Sequence, residues 1–500
     1  MKDTATANMK IKINQHPGLP GLRIVDAAEA VILLLPASAL RKDWPEFPQG
    51  DVLRQRVARL ASKEANTVLL VTELPNSNST PIALACVKAD ISPFDLLTLA
   101  RELTGAILKY NPEDVMVCIA GLDINLTTRA AEAQVAALLA ATAEMPRFKS
   151  KPDRSKRLRS IDVRGARHQD YKRTVAEAHG NTLARFLTTL PPNELTPAHY
   201  RRHIAKLAKQ KKWKLRFIDQ PALHRLGAGA FLAVAQGSPA PDAGIMHLRY
   251  TPRRRTKKAA LALVGKGICF DTGGTNLKPA KYMLGMHEDM QGSAVALGTL
   301  LALTELEVDF PVDCWLALAQ NHIGPKAYKQ NDVVTACNGT TIEVIHTDAE
   351  GRMVLADTLA LASKNQPGLM IDYATLTGSC VAALGTRYSG AFSNRREFVA
   401  PIITAGQASG ERVWPFPTDG DYDKALDSDI ADIKQCSMDN EADHILATRF
   451  LNRFVPETIP WIHVDLSSGN HKGGLAHIPT EVTGFGVRFT LNLVLDQQKM

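Results

Sequence analysis

Between Lys266 and Arg352 the chain gathers acidic and basic residues beside glycine-rich turns. The first block, VGKGICFDTGGTNLKP, carries Lys266, Asp271 and Lys278. A lone acid, Asp289, follows in MHEDM, and a third block, HTDAEGRMVLAD, carries Asp348, Glu350 and Arg352. Three Asp, one Glu and two Lys are costly to bring together unless cations neutralise the acids. Hard divalent ions take several oxygen ligands, and carboxylates can bridge two of them. Two metals about 3.5–4 Å apart can share and deprotonate a water and polarise a carbonyl, which suits hydrolysis of an amide or ester. Asp348 and Glu350, two apart, project to one side if the backbone there is extended. The interposed Gly265, Gly267, Gly273, Gly274 and Gly351 permit turns that other residues would resist. Each fragment alone reads as a turn or a helix-capping loop, and each lysine alone as a surface lysine. Only the combined pattern points to a site.

Short apolar strands and helical patterns surround these blocks. Residues 1–165 read as a small N-terminal α/β domain, with strands at Ala30–Leu35, Thr67–Val71 and Val115–Ile119 and helices at Leu53–Lys63, Asp95–Leu108 and Thr127–Ala143. The first dozen residues are polar and read as loose. Residues 166–500 read as a larger catalytic α/β domain, entered by a linking helix over 166–190 that Pro191-Pro192 ends. Its strands are Ala259–Gly265, Val312–Leu318, Thr341–Ile345, Leu369–Tyr373 and Trp461–Leu466. Its helices are Gly292–Thr304, Met353–Ser363 and His444–Phe454. Continuous rather than alternating apolar strands predict a mostly parallel central sheet with helices on both faces. The acidic blocks then fall just past strand C-termini, where open α/β sheets place their ligands.

Bulk composition sets limits on other functions. Five hundred residues with 45% hydrophobic content can bury a large core. No apolar stretch approaches the roughly 18 residues of a membrane span, and Ala30–Pro36 is too short and too far from the start to be a signal peptide. Seven scattered cysteines, never in a CxxC, predict a reduced, cytoplasmic protein. The net charge of +8 owes much to basic runs at Lys149–Arg159 and Arg253–Lys258. Such runs read first as solvated loops or linkers and second as attractors of nucleic acid. The chain has no HExxH zinc helix, no GxSxG elbow and no GxxxxGK[ST] phosphate loop. His463 and Asp465 on an apolar strand read as structural, and Cys269 as a small buried hydrophobe.

Taken together, VGKGICFDTGGTNLKP, MHEDM, HTDAEGRMVLADTL and DYATLTGSCVAALG resemble the signature segments of the leucyl (cytosol) aminopeptidase family, in order and spacing. The resemblance covers roughly residues 170–490 and is weak over the N-terminal domain, which is variable in that family. It implies a two-metal (Zn or Mn) aminopeptidase that hydrolyses the N-terminal bond of peptides bearing a free α-amine. One metal would use Asp271, Asp348 and Glu350, and the other Lys266, Asp271, Asp289 and Glu350, with Lys266 as a neutral amine. It implies that Lys278 steadies the developing oxyanion, and that Arg352 holds a bicarbonate that accepts the water's proton. Met286, Thr375 and Gly378, with the Leu376 backbone, would line the pocket for the first side chain. A homohexamer is implied too. Three places depart from the family pattern: His346 stands for the common Asn near the substrate, Gln320–Ile323 replaces Glu-Asn-Met-Pro, and Ser437–Asp443 replaces a Gly-rich stretch. An alternative is a sequence-tolerant DNA-binding or assembly protein on the same fold, which the positive charge allows.

Overall fold

The computed structural model describes residues 11–40, 44–60, 69–151, 157–254, 256, 259–439 and 441–497. Parts of both basic runs, and residues 61–63 and 67–68 of the expected helix and strand, lie outside these ranges. The chain separates into two compact units, residues 1–178 with 472–481, and residues 179–471 with 482–500.

The first unit holds a six-stranded sheet of β1 (Lys12–His16), β2 (Val31–Pro36), β3 (Leu69–Glu73), β4 (Pro81–Val87), β5 (Asp114–Ile119) and β6 (Ser160–Arg164), ordered β1-β6-β5-β2-β4-β3. Only β3 runs antiparallel to its neighbour. The continuous apolar runs have a simple cause. In β2, Val31, Leu33 and Leu35 enter one core while Ile32 and Leu34 enter the other. A strand covered on both faces has no polar side to show. β1 begins at Lys12, inside the stretch expected to be loose, and pairs in parallel with β6.

The second unit contains β7 (Lys214–Asp219), β8 (Gly244–Tyr250), β9 (Leu261–Asp271), β10 (Val312–Asn321), β11 (Val333–Thr335), β12 (Thr341–Glu343), β13 (Leu369–Ala374), β14 (Ser389–Ser393), β15 (Val413–Pro415), β16 (Ile433–Lys434) and β17 (Trp461–Asp465). Eight of them form one sheet, ordered β15-β14-β17-β13-β9-β10-β8-β7. The central pairings β17–β13, β13–β9 and β9–β10 are parallel, as expected, while antiparallel strands are added towards both edges. The helices Gln291–Glu305 and Glu350–Ser363 are buried along most of their length. Residues from β9 and β10 pack with the second of these in one core.

Two local expectations fail. β12 stops after three residues and belongs to a separate sheet, β11-β12-β16. It stops because the Ile345 and His346 N–H groups turn to the Gln435 side chain, at 3.1 Å each. β9 does not end at Gly265, where its pairing with β13 stops, but runs on to Asp271 along β10.

Candidate active site

β9 positions the first two charged residues. Lys266 lies inside the strand rather than past its end, and Asp271 closes it, opposite Asn321 of β10. The backbone then turns sharply at Gly273, whose φ of +88 is costly for any residue with a Cβ. Here Gly273 N–H caps Asp271 Oδ1 at 2.8 Å, and Asn321 Nδ2 donates to the same oxygen at 2.8 Å. Of the five glycines expected to make turns, only Gly273 and Gly274 have positive φ. Gly351 serves close approach instead, since a Cβ there would lie 2.7 Å from Lys266 Nζ.

Asp348 and Glu350 do not share an extended segment. Glu350 opens the helix Glu350–Ser363, and Ala349 before it has φ −101 and ψ 39. The two carboxylates still converge: one oxygen each from Asp271, Asp348 and Glu350 lie within 4.8 Å of one another. Gln435, fully buried, anchors this loop, since its Nε2 donates to Ala349 O at 2.9 Å while its Oε1 accepts from Ile345 and His346. Asp348 N–H donates to His346 Nδ1 at 3.2 Å, which ties the His346 ring to the acidic loop.

Two lysines sit among the acids. Lys266 Nζ lies 2.8 Å from Asp289 Oδ1 and 2.9 Å from Glu350 Oε1, and donates to Thr375 O at 2.9 Å. Lys278 Nζ lies 2.9 Å from Asp271 Oδ2 and 2.6 Å from Asp348 Oδ1. Burial works to lower the Lys266 pKa, but Asp289, Glu350 and Asp271 outweigh it and hold the ammonium above the ordinary lysine range. Lys278 is held up likewise, by Asp271, Glu350 and Asp348 against burial. Three of the acids are raised too, which in a carboxyl favours the neutral form. Burial pushes Asp289 well above the carboxylate range, Lys266 opposing and the nearby Glu350 and Asp271 adding to it. Asp271 and Asp348 are raised chiefly by burial as well. Four acids against two lysines leave the cluster short of positive charge.

A cavity of about 660 Å³ opens onto these residues. Every residue expected at the site borders it: Lys266, Asp271, Lys278, Asp289, Asp348, Glu350 and Arg352, together with Met286, His346, Thr375, Leu376 and Gly378. Asp465, at the end of β17, fixes the Thr375–Gly378 wall by accepting from Leu376 N at 3.0 Å and from Thr377 Oγ1 at 2.6 Å. Thr375 Oγ1 in turn donates to Asp289 Oδ1 at 2.7 Å. His463 pairs with Asp372 at 2.7 Å, which is structural, as expected. Cys269 is buried, also as expected. The acid ending the third block, Asp357, does not join the cluster. It accepts from Phe231 N and Cys337 N at 2.7 Å each, and burial raises its carboxyl to about 6.

The residues missed by sequence reasoning are single polar side chains that hold the loops, Asn321 and Gln435; Asp465, read as structural, holds the pocket wall. A third is Asp443, whose Oδ1 lies 2.8 Å from Arg352 Nη2. It opens the helix Asp443–Asn452 behind Ala442, which is left-handed at φ 51, ψ 31. That conformation costs an L-residue with a Cβ roughly 1–2 kcal/mol. Ala442→Gly is therefore expected to raise stability, by up to about 1 kcal/mol once the entropy of a freer unfolded chain is deducted. A shift of the urea midpoint to higher concentration would show it.

A sheet that is parallel at its centre brings four carboxylates and two lysines to the border of one cavity, an oxygen-rich grouping of the kind that suits divalent cations. The pattern described as "Cytosol aminopeptidase family, catalytic domain" matches residues 182–491. A probable cytosol aminopeptidase of Rhodopseudomonas palustris is 35% identical over 428 residues, covering 82% of this chain and 82% of the relative. One from Prochlorococcus marinus is 38% identical over 354 residues, covering 69% and 70%. Among solved structures, a tomato leucine aminopeptidase mutant superposes with a TM-score of 0.84 at 27% identity, over 97% of this chain and 96% of that one. The chain belongs to the cytosol aminopeptidase family, and it is a metalloaminopeptidase, a hydrolase. No helix among the described residues is long and apolar enough to cross a membrane. None of the comparisons supports the DNA-binding alternative.

Proposed function

We propose that residues 166–500 form the catalytic domain of a two-metal exopeptidase, which removes the first residue from peptides with a free N-terminus. The observation that carries this reading is the state of the carboxylates. Asp289 Oδ2 and Glu350 Oε2 are buried and have no hydrogen-bond donor among the described residues. A buried, undonated carboxylate oxygen is expensive unless a cation serves it. These residues fit a pair of divalent ions: Asp271, Asp348 and Glu350 would hold one, and Lys266, Asp271, Asp289 and Glu350 would hold the other. Oxygen-rich ligands with one amine suit Zn or Mn. When bound, such a pair polarises the scissile carbonyl and activates a water.

The chain's own residues supply the rest. Lys278, on the Asp271 and Asp348 side of the cluster, offers an ammonium to the oxyanion that develops on the carbonyl. Lys266 is kept protonated by Asp289, Glu350 and Asp271, and with those carboxylates shared by bound cations its burial would favour the neutral amine. Met286, Thr375, Leu376 and Gly378 shape the pocket for the first side chain, with His346 near the substrate backbone. A homohexamer and a cytoplasmic location follow from the family resemblance and complete the proposal. The resemblance also implies a bicarbonate on Arg352, but that arginine pairs with Asp443 at 2.8 Å, so the proposal does not include it.

Hydrolysis of a panel of aminoacyl-arylamides and dipeptides tests this reading. Activity is expected to vanish on chelation, to return with Mn or Zn, and to be absent for N-acetylated substrates. Cleavage of the acetylated controls, or failure of every metal to restore activity to folded protein, would overturn it.

A further inference from the structure

Arg352 is 3% exposed; Nη1 and Nη2 are engaged, which leaves one buried N–H, on Nε, without a partner among the described residues, rather than the open pair that a bidentate oxyanion takes. Nη2 pairs with Asp443 Oδ1 at 2.8 Å, and Nη1 donates to Gln435 O at 3.2 Å. An exchangeable oxyanion needs an arginine whose charge and N–H pairs are open to it. Here a carboxylate of the same chain balances the charge. A second anion would stand beside Asp443 with Glu350 nearby, and like charges there oppose its entry. Arg352 in this chain therefore does not fit a bicarbonate.

We infer that Asp443 is a built-in replacement for that anion: it holds Arg352 in the place the family resemblance gives to bicarbonate, and the protein takes up no bicarbonate there. Three further observations agree. Asp443 and Arg352 border the same cavity as the acidic cluster. Asp443 belongs to Ser437–Asp443, the segment that departs from the family's Gly-rich pattern. It also opens a ten-residue helix, whose N-terminus favours a negative charge, and the chain accepts a left-handed alanine immediately before it. Asp443 is thus a positioning residue for Arg352. This inference rests on the proposed active site for its meaning, and on the Arg352–Asp443 pair for its evidence.

The test is titration of ¹³C-bicarbonate into the full-length, metal-loaded protein in carbonate-depleted buffer. Binding is followed by calorimetry and ¹³C NMR, and hydrolysis of an aminoacyl-arylamide in parallel. The wild type is expected to show no saturable binding and no change in rate. Asp443→Ala is expected to be slower by roughly 10- to 100-fold without bicarbonate, the usual effect of losing a supporting residue, to bind one bicarbonate saturably, and to regain rate as it binds. Asp443→Asn keeps the side-chain volume and the helix start, and the same gain of binding is expected if the alanine variant does not fold. Saturable binding to the wild type that is lost in Arg352→Ala would overturn the inference, as would failure of both Asp443 variants to gain binding. The binding readout needs no turnover. A wild type that cleaves nothing while the binding pattern holds would sink the aminopeptidase reading and leave this one standing.

Discussion

Lys278→Ala is expected to lower kcat by roughly 100- to 1,000-fold, the usual effect of removing one oxyanion donor, while the protein keeps its full metal content. Asp348→Ala is expected to lose both. The contrast follows from the ion pairs around Lys278. Its ammonium lies 2.9 Å from Asp271 and 2.6 Å from Asp348, so it competes with a cation for the same oxygens. Removing it takes away a competitor and no ligand. Asp348 belongs to the group of three carboxylates whose oxygens lie within 4.8 Å, and truncating it leaves two. Metal per subunit after gel filtration, measured by elemental analysis beside kcat on one arylamide, separates the roles. Equal metal loss in the two variants would show that Lys278 organises the site rather than serving the reaction.

The order of the acidic blocks was legible in the sequence, because residues that serve one centre recur as short charged motifs against an apolar background. Central strands such as β2 and β9 were legible for a related reason, since burial on both faces leaves an unbroken apolar run. The edge strand β1 was not, because its residues alternate between exposed and half-buried and carry Lys, Asn, Gln and His. The local backbone of the site was misread where side chains override it. Glu350 enters a helix instead of an extended pair with Asp348, and β12 is cut short by the Gln435 amide. Gln435, Asn321 and Asp465 each reach a backbone group or side chain tens of residues away. Such contacts leave no periodic trace. Asp443 left one indirectly, as a departure from the glycines its family commonly places there.

The network behind the pocket wall carries the second large effect. Asp372→Ala is expected to destabilise the fold by about 3–5 kcal/mol, the range for removing one partner of a buried ion pair. Asp372 lies in β13 beside β17 and is fully buried. Its Oδ1 lies 2.7 Å from His463 Nδ1, and its Oδ2 accepts from Trp461 Nε1 at 2.6 Å. Alanine would strand a buried imidazole whose Nε2 has no partner among the described residues, and an indole N–H besides. A pH dependence follows. Burial works to lower the His463 pKa, but Asp372 outweighs it and raises the value above that of an ordinary histidine. A group whose folded pKa is raised stabilises fully below its unfolded value, roughly 6.5 for histidine. That contribution is lost as pH climbs through the folded value. Wild type should therefore lose stability on the alkaline side of this window. Asp372→Asn keeps the shape without the charge and should lose less over the same range. Urea midpoints compared across pH at one protein concentration decide it, and parallel profiles would mean that His463 is neutral in the fold and the pair is only a hydrogen bond. Asp465, which anchors the Thr375–Gly378 wall, lies two residues beyond His463 on the same strand. Loss of the pair should therefore loosen substrate binding before it unfolds the protein, with KM rising ahead of any fall in folded fraction.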